Sequence, residues 1–131
     1  MAGVQEATDL PLVASFSFDQ GTHTMMGVSP TDVVAAVEPL GVAALGANCG
    51  RSLGDTDAIV TELLAAATIP LWVKPNAGVP RMVGDAVIYD AGPDDLAAHI
   101  RGYVERGARI VGGCCGSTPE HIAAIASALG R

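Results

Sequence analysis

The chain has 131 residues, half of them hydrophobic and 16% charged, which is enough for one domain around one core and too little for two. Fourteen acids against seven Lys and Arg leave a formal charge of -7, which argues against nucleic acid or an anionic membrane as partner, because both need a basic patch. No apolar run approaches the ~20 residues that span a bilayer, and the start, MAGVQEATD, lacks the charged head and apolar core of a signal peptide. A cytoplasmic protein with a small-molecule or protein partner is expected, and three cysteines, an odd number, suit a compartment where thiols stay reduced.

Residues 2 to 9 read as the tail of a helix, and Leu12 to Ser17 as a strand. Ser29-Pro30-Thr31-Asp32 starts a helix with a serine N-cap, proline at the first position and an acid at the third. Val33, Val34, Val37 and Leu40 form its apolar face and Gly41 stops it. Val42 to Gly46 is the next short buried strand, ending at Cys49. Helical period returns from Asp55, with Ile59, Leu63, Leu64 and Ala67 on one side, and Ile69 to Lys74 forms a third strand. The loop after it is long, with an alternating stretch at Ala86 to Tyr89 that suits a hairpin. Pro93-Asp94-Asp95 opens a further helix, which Gly107 closes, and Ala108 to Val111 is a fourth strand. The last helix starts either from a capping box on Ser117 or from a Thr118 cap with proline next.

Strand starts near 12, 42, 69 and 108 suit βαβ units of roughly thirty residues, the last lengthened by the loop. Continuous apolar strands imply burial on both faces, hence a parallel sheet with helices outside. The fold class expected is α/β, with four β/α units over residues 1–131. A closed eight-stranded β/α barrel needs ~250 residues, so four units make half of one. Such a half exposes two strand edges, near 12–17 and 108–112, and invites pairing with a second copy or with a complementary half.

The chemistry gathers in Gly46-Ala47-Asn48-Cys49-Gly50 and Gly112-Gly113-Cys114-Cys115-Gly116. Adjacent cysteines make a poor disulfide, whereas a metal accepts that geometry. Thiolates select zinc, and a catalytic zinc keeps three protein ligands and one open position. Cys49, Cys114 and Cys115 would supply the three; the plainer reading is three small buried hydrophobes. All three follow strands, which in β/α barrels places them on the catalytic face. Asn48 is a candidate donor to a thiolate sulfur or to substrate. His121 lies in the first turn of the last helix and reads as surface, and nothing marks His23 or His99. Trp72 reads as core or barrel packing.

GANCG, then Val73-Lys74-Pro75-Asn76-Ala77-Gly78-Val79-Pro80, then IVGGCCGSTPEHI from Ile110 to Ile122 resemble the zinc signature of the homocysteine S-methyltransferase family, and especially the homocysteine-binding domain of cobalamin-dependent methionine synthases. Phe16-Ser17-Phe18-Asp19 with Gly21-Thr22 and Gly27 resembles that family's fifth barrel strand and its loop. The resemblance implies the C-terminal half of a (β/α)8 barrel, with zinc on Cys49, Cys114 and Cys115. It also implies that the Asn76 oxygen holds the fourth position when substrate is away; an asparagine that merely turns the chain after Pro75 is the alternative. The activity implied is transfer of a methyl group to homocysteine or a similar thiol held as a thiolate, giving methionine. The donor, whether methylcobalamin, a methylated sulfonium or a betaine, would come from another domain or protein. In the family the ends of homocysteine are held largely from the first four strands, so the other reading is a non-catalytic zinc-binding half domain that needs a separate N-terminal half.

Overall fold

A computed structural model describes residues 2–131. The elements run α1 (Ala2–Ala7), β1 (Val13–Ser17), α2 (Pro30–Val37), a 3-10 turn (Glu38–Leu40), β2 (Ala44–Cys49), α3 (Leu53–Ala66), β3 (Leu71–Pro75), β4 (Pro80–Val83), β5 (Ala86–Tyr89), α4 (Pro93–Arg106), β6 (Ile110–Val111) and α5 (Pro119–Ala128). β1, β2, β3 and β6 form a parallel sheet in that order, and β4 and β5 form the antiparallel hairpin expected from the alternating stretch. The fold is α/β with a parallel sheet, as the strand pattern predicts. β1 and β6 are its edges, also as expected.

Local signals set the helix ends. The Ser29 hydroxyl accepts from the Asp32 amide at 3.1 Å and donates to the Asp32 carboxylate at 2.7 Å, with Pro30 at the first helical position. Gly41 ends the following turn in the left-handed conformation, at φ 74°. Ser52 caps α3 by accepting from the Asp55 amide at 3.1 Å. Of the two starts open for α5, the structure takes Thr118 as the cap.

The register sorts the side chains by face. Phe16, Ala47, Val73 and Val111 form one row across the sheet. They join Leu45, Leu71, Ile59, Leu63, Leu96 and Ile100 in the core beneath the helices. The next row, Ser15, Gly46, Trp72 and Ile110, lies on the opposite face. Burial on both faces therefore does not hold for every strand: β1 and β3 alternate between more and less buried residues. Helices cover only one side, and Ser17, Asn48 and Lys74 form a polar row on the other. Trp72 lies half-buried on that open side, with the Lys74 ammonium 5.4 Å above its ring, so it is outside the helix-covered core. Among the described residues no helix is long and apolar enough to cross a membrane.

His121 corrects a second expectation. It is 7% exposed, not a surface residue. Its Nδ1 accepts from the Thr118 amide at 3.2 Å and its Nε2 lies 3.1 Å from the Ala91 carbonyl, so the proton sits on Nε2 and the ring ties α5 to the loop after the hairpin. His99 also has a partner: its Nδ1 is 3.1 Å from the Asp57 carboxylate, linking α4 to α3. His23 bridges Gln20 through the backbone of a surface turn.

Candidate metal centre

Cys49 is the last residue of β2, and Cys114 and Cys115 follow β6, so parallel strands bring together thiols 65 residues apart. The three sulfurs lie within 4.8 Å of one another, and Cys49 Sγ and Cys114 Sγ are 3.2 Å apart. Cys49 and Cys114 are half-buried; Cys115 is exposed. Cys49 is the one non-glycine residue with positive φ among those described, at 59°. Non-glycine residues seldom adopt this conformation, and its occurrence here, at a thiol, marks the turn as a site where backbone strain is held in place by its surroundings.

Those surroundings centre on Pro75-Asn76-Ala77, which lies between the two cysteine segments and bonds to both. The Asn76 amide donates to the Cys49 carbonyl at 3.1 Å, and the Asn76 side-chain nitrogen donates to the Gly50 carbonyl at 2.9 Å. Toward the other segment, the Cys114 amide donates to the Pro75 carbonyl at 2.8 Å and the Ala77 amide to the Cys115 carbonyl at 2.9 Å. The Asn76 side-chain oxygen accepts from the Cys115 amide at 3.0 Å. With one lone pair engaged there, the second is free for another donor or an ion.

Asn48 donates from Nδ2 to Cys49 Sγ at 3.2 Å, and its oxygen accepts from the Ser15 hydroxyl at 2.5 Å. Ser15 thus orients the amide so that its N–H, and not its oxygen, meets sulfur. Tyr89, at the end of β5, reaches the same centre. Its phenol is held above the usual tyrosine range, first by burial and then by the charge of Cys115 and the other thiols of the cluster. Ser15 and Tyr89 were not singled out in the sequence; the alternating pattern gave the hairpin, but only its register selects Tyr89.

The two closest thiols are driven apart in acidity. Burial, then the hydrogen bond with Cys114, pushes Cys49 up to about 11, against a smaller opposing effect of the Asn48 amide. For Cys114, burial works upward but is outweighed by hydrogen bonds from the Cys49 thiol and from the Cys115 backbone and side chain, which hold it below its ordinary value. One proton shared across 3.2 Å explains the opposite signs.

Sulfur ligands at about 2.3 Å in a tetrahedron lie about 3.8 Å from one another. The 3.2 Å pair and the 4.8 Å span of the cluster straddle that value, and three thiols with no acid or imidazole among them are a zinc-type donor set. The residues present fit the ion.

A parallel sheet that gathers three thiols at the carboxyl ends of its strands defines an α/β domain with a thiol cluster that could hold a metal ion. The chain belongs to the homocysteine S-methyltransferase family, whose model matches residues 1–129. It is 35% identical over 131 residues to a methionine synthase of Mycobacterium leprae, covering 99% of this chain and 11% of that protein. It is 36% identical over 121 residues to the methionine synthase of Mycobacterium tuberculosis, covering 92% of this chain and 10% of that protein. The metallated form of the homocysteine methyltransferase MmuM from Escherichia coli superimposes with a TM-score of 0.73 at 30% identity, over 95% of this chain and 38% of that one. The chain therefore spans about a tenth of the length of these methionine synthases.

Proposed function

We propose that this chain is the metal-binding, C-terminal half of a (β/α)8 homocysteine S-methyltransferase barrel and that Cys49, Cys114 and Cys115 hold zinc. The observation that carries this reading is the cluster of three sulfurs within 4.8 Å, in a chain of this family. When bound, zinc would lower the pKa of a thiol entering its open position and so present sulfur as a nucleophile to a methyl donor near neutral pH. The chain's own residues hold that centre in shape. Asn76 locks the two cysteine segments together, Asn48 keeps an N–H on the Cys49 sulfur, and the left-handed turn at Cys49 aims its thiol at Cys114.

The thiol acceptor in this reading is homocysteine or a close analogue, the product methionine, and the donor, methylcobalamin among the candidates, is delivered by another domain or protein. The open edges of β1 and β6 favour a division of labour: this half supplies the zinc, and a separate N-terminal half, or a second copy, completes the ring and the substrate pocket. Zinc per chain, measured with and without homocysteine, tests the centre. About one zinc per chain is expected, and methyl transfer is expected only when the N-terminal half is supplied. A chain purified without zinc and unable to take it up would overturn the reading. A zinc-loaded chain with no turnover in the presence of the complementary half would leave the non-catalytic zinc domain.

A further inference from the structure

Ser15 stands on the edge strand β1, on the sheet face without helices, opposite Gly46 in the register. Asn48, further along β2, reaches back to it across the space that a glycine leaves, and the Ser15 hydroxyl meets the Asn48 side-chain oxygen at 2.5 Å. That length suits an O–H donor on a carbonyl oxygen and is short for an N–H donor, so the amide nitrogen is the end that faces the Cys49 sulfur, at 3.2 Å. The gap is built in. A Cβ on Gly46 would collide with the Trp72 carbonyl, so no side chain can stand between Ser15 and Asn48. The result is a hydrogen-bond chain that runs to a sulfur of the cluster from an edge strand that carries no cysteine.

We propose that Ser15 is a positioning residue of the metal centre, which holds the Asn48 N–H on the Cys49 sulfur and thereby slows the loss of the metal. The inference rests on the reading of Cys49 as a zinc ligand. Three thiolates on one dication leave net negative charge on the sulfurs, and a donor on one of them takes up part of it. An asparagine side chain can turn either end toward that sulfur, and the carbonyl end would set one partial negative charge against another. With its oxygen taken by the Ser15 hydroxyl, Asn48 keeps its N–H inward. Ser15 itself touches neither the sulfur nor a substrate position, so its effect runs through Asn48.

Ser15→Ala removes the hydroxyl, Ser15→Thr keeps it in a residue that suits a strand, and Ser17→Ala is the control on the same strand and face. Zinc release from each loaded chain is followed with a chromophoric chelator, and cobalt(II) in place of zinc reports the sulfurs through its thiolate charge-transfer band. Release from Ser15→Ala is expected to be about fivefold faster than from wild type, the scale of one hydrogen bond, with a shifted cobalt band. Ser15→Thr and Ser17→Ala should stay within about twofold of wild type. Nuclear magnetic resonance reads the positioning itself: cross-peaks from the Asn48 side-chain amide protons to the Cys49 β-protons are expected in wild type and Ser15→Thr, and their loss in Ser15→Ala. Unchanged release and an unchanged band in Ser15→Ala, an equal effect in Ser17→Ala, or no rescue by threonine overturns the proposal. If wild type takes up neither zinc nor cobalt, the metal reading fails separately; the cross-peaks of the metal-free chain then decide the positioning, because their loss in Ser15→Ala supports it and their persistence removes it.

Discussion

The Cys115 amide donates to the Asn76 side-chain oxygen at 3.0 Å, while the nitrogen of the same side chain reaches the Gly50 carbonyl at 2.9 Å, so one asparagine spans both thiol segments. Asn76→Ala removes both bonds and leaves the Cys115 amide and the Gly50 carbonyl without their partners. Each bond contributes about 0.5–1.5 kcal/mol, so a loss of roughly 1–3 kcal/mol in unfolding free energy is expected. Three thiolates remain, so zinc should stay bound and exchange faster with a chelator. An Asn76→Ala chain that carries no metal at all would make Asn76 a primary ligand.

Replacing a thiolate with a hydroxyl removes both charge and softness from a zinc site. Cys49→Ser, Cys114→Ser and Cys115→Ser are each expected to lower zinc affinity by orders of magnitude, read by competition with a chelator of known affinity. Unchanged zinc content in Cys114→Ser would remove the assignment, because Cys114 is the sulfur nearest Cys49.

Gly116→Ala tests the seat of Tyr89. The added methyl would lie 2.2 Å from the ring at a residue with φ 80°, so the ring must leave or the turn must change. A left-handed alanine alone costs about 1 kcal/mol, and displacement of the ring adds to it. A double-mutant cycle with Tyr89→Ala separates the two. Gly116→Ala should cost clearly less in the Tyr89→Ala background, and equal costs in both would show that the ring is not what the glycine accommodates.

The parts of this site that were legible in the sequence are those set by local chemistry or by the topology of parallel strands. Ser29-Pro30 and Pro93 mark helix starts, and two cysteine segments at the carboxyl ends of strands meet once those strands are parallel neighbours of β3. What was not legible depends on register across long separations. His121 read as a surface residue because nothing in α5 announces the Ala91 carbonyl, 30 residues away, that buries it. Ser15 is one of several serines until Asn48 is placed beside it, 33 residues on. The apolar strands suggested cover on both sides, yet Ser17, Asn48 and Lys74 form a row on the face without helices. Asn48 in that row donates to the Cys49 sulfur, so its polarity follows from the thiol cluster and not from the core.

Acid should loosen the hairpin before the core. Asp90 is held below its ordinary value chiefly by the Val79 amide, and then by Arg81, with burial opposing. A carboxyl whose folded pKa is depressed contributes stability above its unfolded value and loses that contribution as pH falls through the folded one. The contribution of Asp90 is therefore complete above about pH 4 and fades below it. Glu120, lowered mainly by the Thr118 hydroxyl, acts in the same direction at the start of α5. Amide exchange at Val79 is expected to accelerate below about pH 4 relative to the base-catalysed trend, and Asp90→Asn should show the faster exchange already at neutral pH. A Val79 amide equally protected in the variant would show that Asp90 does not hold the hairpin.

Assembly follows from the two edges. β1 and β6 each leave one side of a parallel ladder without a partner, and the face away from the helices carries Val13 and Ile110 at 42% and 40% exposure beside the polar row. Unpaired backbone groups and an uncovered sheet face favour association. Two copies that meet edge to edge would close an eight-stranded ring with one thiol cluster each, burying both edges and both open faces. The polar row points instead to a partner whose inner face is built to meet it, an N-terminal half barrel. We expect the chain alone to sediment as a homodimer or larger species at micromolar concentration, and to form a one-to-one complex when an N-terminal half is added. Dissociation of the self-associated species by that half would rank the two partners. A lone chain that sediments as a monomer and unfolds cooperatively would remove the expectation, since its edges would then be stable in water without cover.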